Sequence, residues 1–143
     1  MQPNQIPDTD TPCWKATISP GDVVRFRFPA ADCSDTNAAT GPKLRPCLVL
    51  EVFHFSGQRF VKLAYGTSAF TKANKGCEVL VKHSGSCATA GLNRPTRFVG
   101  ARSIIVSLDH SGFEPYGKTE SPLMGRLDGT LLKRLTAIRR RLR

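Results

Sequence analysis

The sequence predicts a mainly β domain, a small barrel with a C-terminal α-helix, and three observations predict it. Short apolar stretches recur from Val23 to Leu108, separated by turn-forming Pro, Gly, Ser and Asn. After Asp128 the apolar residues switch to helical spacing. The chain is 143 residues long and 40% hydrophobic, which suits one core rather than two, and a small twisted sheet tends to curl into a barrel to remove its edges.

Taken in order, residues 1–19 are polar, contain three prolines and read as an irregular N-terminal arm pinned by Trp14. The domain proper runs over 20–143. Pro20-Gly21-Asp22 turns into a first strand, in which Val24, Phe26 and Phe28 share one face and Arg25 and Arg27 the other. Residues 29–42 form a long polar connection, a kind of loop that is usually functional or mobile. The second strand, 47–55, is nearly continuously apolar and is expected to be buried on both faces. Ser56-Gly57-Gln58 has hairpin character, and the third strand, 59–65, ends at Gly66-Thr67-Ser68. A basic loop over 69–76 carries Phe70 and precedes a fourth strand at 78–82. A loop at 83–90 follows, then two strands at 97–99 and 104–108 broken by Gly100. Asp128 caps a terminal helix whose apolar stripe is Leu131, Leu132, Leu135, Ile138 and Leu142.

A formal charge of +10 and a pI near 9.9 point to a polyanionic partner, of which nucleic acid is the commonest. The charge gathers in two places, net +5 over 41–75 and net +6 over 133–143. Cations near a helix C-terminus are favourable by about 0.3–1 kcal/mol each at low salt, so the second cluster reads either as a solvated helix face or as an additional RNA contact. The five cysteines are widely spaced without close Cys–Cys or Cys–His pairs, so reduced thiols are expected and a zinc site is not. No apolar run approaches the roughly 20 residues of a membrane span, and the N-terminus lacks the pattern of a signal peptide; a cytoplasmic protein is expected.

The stretch Lys43-Leu44-Arg45-Pro46-Cys47-Leu48-Val49-Leu50 runs from a basic segment straight into an apolar strand. Pro46 fixes its own φ and pushes Arg45 to an extended conformation at the strand's mouth. A guanidinium held there is suited to phosphate, although an arginine beside a strand in a basic protein is more commonly a solvated charge. His54, His83 and His110 have no partner spacing that supports proton transfer, and His54 is expected to pack within its strand.

Three motifs, in order, resemble the MazF/PemK family of toxin endoribonucleases: Pro20-Gly21-Asp22-Val23-Val24, Arg45-Pro46-Cys47-Leu48-Val49-Leu50 and Thr67-Ser68. Gly91-Leu92-Asn93-Arg94-Pro95-Thr96, Arg102-Ser103-Ile104-Ile105 and the terminal helix are weaker matches. The resemblance covers the chain from about residue 19 onward. It implies an SH3-like barrel of the CcdB/MazF/PemK type, usually a homodimer, that cuts single-stranded RNA (mRNA) at specific sequences without a metal or other cofactor and is neutralised by an antitoxin protein.

Carried over by position, Arg45 matches the arginine near the scissile phosphate, Thr67 the catalytic threonine and Ser68 the hydroxyl residue that follows it in the PemK branch. Arg97 matches an arginine that this branch uses as acid or phosphate clamp. The acidic residue expected after it is missing, since the chain reads Phe98-Val99-Gly100-Ala101. RNA brings its own nucleophile, the 2′-hydroxyl, so orientation and charge neutralisation do much of the work. On this reading Lys43, Lys72 and Lys75 hold flanking phosphates and Phe70 stacks on a base. Two other functions share the fold: a gyrase-inhibitor-type toxin that binds protein, and a catalytically impaired RNA-binding barrel.

Overall fold

The computed structural model describes residues 14–28, 43–68, 77–116 and 120–142. The elements are α1 (Trp14–Thr17), β1 (Asp22–Phe28), β2 (Lys43–Phe55), β3 (Gln58–Thr67), β4 (Glu78–Val81), α2 (Ser84–Thr89), β5 (Thr96–Ser107), β6 (Leu123–Arg126) and α3 (Gly129–Leu142). The strands form a curled antiparallel half-barrel in the order β4-β5-β3-β2-β1-β6, with α3 as the C-terminal helix.

The long central strands explain the curl. The β2–β3 hairpin turns through Ser56 and Gly57, both at positive φ (53° and 79°), as a two-residue turn matched to strand twist requires. β2 begins at Lys43, earlier than the apolar run, because β1 pairs with it as far as Phe28↔Lys43. Pro46 is tolerated inside this central strand because Arg25, opposite it, directs its own backbone outward: its N–H donates to Pro122 and its carbonyl accepts from Glu114.

Burial on both faces holds for Cys47, Leu48, Val49 and Leu50 and fades toward the hairpin, where Phe55 is 71% exposed. Leu48 and Leu50 enter one core with Val23, Phe98, Leu135 and Ile138; Cys47 and Val49 enter the other with Val24, Phe26, Val61 and Leu63. This is the two-residue alternation of a strand sandwiched between two apolar layers. Burial of side chains the size of Leu135 and Ile138 stabilises by about 1.5–3 kcal/mol each, which docks α3 on the first core. Asp128 Oδ1 accepts from the Leu131 N–H at 3.0 Å and starts the helix, as its sequence predicts. Trp14 packs on Phe113, ring centroids 5.0 Å apart, and so ties α1 to the second layer.

Four elements differ from the sequence expectation. Trp14–Thr17, expected to be part of an irregular arm, is the short helix α1, with the Ile18 N–H bonding the Trp14 carbonyl at 2.9 Å. Part of the 83–90 loop is the helix α2: Ser and Gly are weak helix formers, but Cys87 is buried and Ser86 Oγ donates to the Asp128 carboxylate, so tertiary contacts decide. The two strands flanking Gly100 are one, β5, because the Gly100 N–H bonds the Cys77 carbonyl at 2.7 Å and continues the pairing. β6 was not expected; four residues containing Met124 and Gly125 carry no alternation, and pairing with β1 makes them a strand. His54 is exposed on β2 rather than packed. The 29–42 connection and the 69–76 loop, with Phe70, Lys72 and Lys75, lie outside the described residues, as does the side chain of Lys43.

Candidate functional site

A cleft of about 400 Å³ opens at one end of the sheet, where the start of β2, the close of β3 and the start of β5 meet. Arg45, Thr67 and Ser68 all line it. Arg45 lies half-buried, with one guanidinium nitrogen donating to the Gly66 carbonyl at 3.4 Å and the guanidinium carbon 5.1 Å from the Tyr65 ring centroid. The charge is thus anchored on the residue immediately before Thr67. Both contacts orient the guanidinium, and neither neutralises it.

Gly66 makes this approach possible. A Cβ there would stand 2.7 Å from the Pro46 carbonyl oxygen, 2.8 Å from the Phe98 ring and 2.9 Å from the Thr96 methyl, closer than packed atoms allow. Register shifts beside it, between Ala64 and Gly66, so the end of β3 is re-aimed relative to β5.

Two further arginines line the cleft. Arg25 projects from β1 opposite Pro46, and Arg94 comes from the turn before β5, held by Thr96 Oγ1 donating to the Arg94 carbonyl at 3.0 Å. The sequence held a signal for each. Arg25 alternates with Val24 and Phe26, which puts it on the opposite face, and Arg94-Pro95 repeats the Arg-Pro pair of Arg45-Pro46, which again forces an extended arginine. Among the described lining residues there are three arginines and no Asp, Glu or His.

Arg97 is not brought to the cleft. It is the ladder partner of Thr67, but its side chain is 4% exposed and ion-paired with Glu78 of β4. A buried guanidinium needs a carboxylate beside it, and Glu78 supplies one from the neighbouring strand although none follows Arg97 in sequence. Beneath Arg45, burial pushes the Cys47 thiol well up, the Arg45 charge opposing this only in part; the thiol stays protonated and its sulfur sits 3.7 Å from the Arg45 carbonyl. Cys47 is thus a core residue and no nucleophile. No three His, Cys, Asp or Glu side chains among the described residues gather as a metal site requires, and no described helix is long and apolar enough to cross a membrane. The chain matches no known family model and no curated protein sequence.

Proposed function

We propose that the chain is a metal-independent endoribonuclease of the MazF/PemK type on an SH3-like barrel, the toxin of a toxin–antitoxin pair, cutting single-stranded RNA. The observation that carries this reading is that Arg45 of β2, Thr67 at the end of β3 and Ser68 just after it line one cleft that holds no acidic side chain among its described residues. A phosphodiester is the natural occupant of a cleft lined by three arginines and two hydroxyl-bearing residues.

In the proposed reaction the RNA 2′-oxygen bonds to phosphorus and the bond from phosphorus to the 5′-oxygen breaks. Arg45, with Arg25 and Arg94, neutralises the crowded phosphorane, while Thr67 and Ser68 donate to a phosphoryl oxygen. The described lining offers no carboxylate or imidazole, so the proton lost from the 2′-hydroxyl and the one gained by the 5′-oxygen pass through water. The products are a 2′,3′-cyclic phosphate and a 5′-hydroxyl. A homodimer and a neutralising antitoxin belong to the same reading.

The test is incubation of the purified protein with mixed-sequence single-stranded RNA in EDTA, with the ends mapped. Cleavage by wild type and its loss in Arg45→Ala support the reading; equal cleavage by both overturns it. The absence of a carboxylate or imidazole from the described lining favours a second reading, an RNA-binding barrel without chemistry, which would show salt-sensitive RNA binding and intact RNA.

A further inference from the structure

The cleft has a second end, formed by the turn before β5 and by Tyr116. We infer that this end is a nucleobase subsite: Tyr116 stacks on the base adjoining the phosphate at Arg45, and the Asn93 amide reads that base's edge. The inference rests on the reading of the cleft as an RNA site and gives it a source of base selectivity.

Tyr116 and Asn93 line the same cleft as Arg45 and Thr67. The ring is fixed on two sides. Its hydroxyl donates to the Gly91 carbonyl at 3.4 Å, and the Arg25 guanidinium carbon lies 5.9 Å from its centroid. An aromatic ring held against a cation within a basic groove is the platform on which single-stranded bases stack. Leu92, buried, and Met124, half-buried, give this end an apolar floor of the kind a base covers. Tyr116 is the one aromatic ring among the described lining residues.

Asn93 adds what stacking lacks. It is exposed at the rim, and its amide presents one acceptor and a donor pair side by side. The Watson–Crick edges of the bases fall into two senses: an amino donor beside a ring-nitrogen acceptor in adenine and cytosine, a carbonyl acceptor beside a ring N–H in guanine and uracil. An amide meets either sense by turning over, so this selectivity requires Asn93 to keep one orientation when a base is bound. The subsite then separates amino bases from keto bases.

The full chain is titrated calorimetrically with the four nucleoside 3′-monophosphates and with inorganic phosphate. Expected are nucleotides binding about tenfold or more tighter than phosphate, and a split of about fivefold to tenfold between the amino and keto pairs. Tyr116→Leu brings nucleotides down toward phosphate, while Tyr116→Phe keeps the ring and the gap. Asn93→Ala, at an exposed position, removes the split and keeps the gap. Nucleotides binding no tighter than phosphate, no split in wild type, or a split that survives Asn93→Ala each overturns the subsite. If phosphate binding depends on Arg45 but no base effect appears, the subsite alone fails. If neither phosphate nor nucleotide binding responds to Arg45→Ala, the RNA reading fails with it.

Discussion

Arg45 and Arg97 lie on the strands either side of β3, both close to its end, and they meet opposite fates. Arg97 is taken out of water and receives Glu78 as a neutralising partner. Arg45 keeps part of its surface at a cleft and is steadied by an aromatic ring and a backbone carbonyl. The difference lies in where the counter-charge comes from. A guanidinium paired inside the protein is a piece of structure, whereas one that is held but not neutralised remains available to an anion from outside.

Breaking the open side has the largest expected effect. Removing a donor aimed at developing charge costs about a hundredfold to a thousandfold, so Arg45→Ala should lower single-turnover RNA cleavage by that factor with little change in unfolding midpoint. Breaking the paired side should do the reverse. Glu78→Ala strands the Arg97 charge and is expected to destabilise by about 3–5 kcal/mol in urea unfolding, and the double variant Glu78→Leu with Arg97→Met should recover most of it. Gly66→Ala sharpens the comparison because it disturbs both regions: about 1–3 kcal/mol of stability should be lost, with slower cleavage of the RNA by the molecules that remain folded.

The smallest effect is at Asp128, the cap of α3. The Ser86 hydroxyl foremost, then the Leu131 N–H, hold its carboxyl below the ordinary value of 3.8. A depressed folded pKa gives stability that is present above the unfolded value and lost as pH falls through the folded one. Thermal unfolding of Asp128→Asn should therefore show a lower midpoint than wild type at neutral pH, and the two should converge in acid below about pH 3.8.

Much of the sheet was legible because its signals are local. The alternation through Val24, Arg25 and Phe26, the Ser56-Gly57 turn and the Asp128 cap each sit within a few residues. What was not legible depends on contacts far apart in the chain. β6 is a strand only because β1 accepts it, α2 a helix only because Cys87 and Ser86 find partners elsewhere, and β5 continuous only because Cys77 bonds Gly100. The cleft divides in the same way. Arg45 announces itself by the proline that follows it, and Arg94 carries the same mark. Whether Arg97 faces a ligand or a carboxylate is decided by Glu78, nineteen positions away, which no local pattern reveals.

The bare backbone at position 66 has a consequence for recognising such clefts in other chains. Arginine is abundant in any basic protein, so its presence says little, but a strand that must pass against a neighbouring carbonyl with hydroxyls just beyond admits no side chain at the crossing point. The informative signature is thus an absence: a residue without a β-carbon, followed by Thr-Ser, across the sheet from an Arg-Pro step.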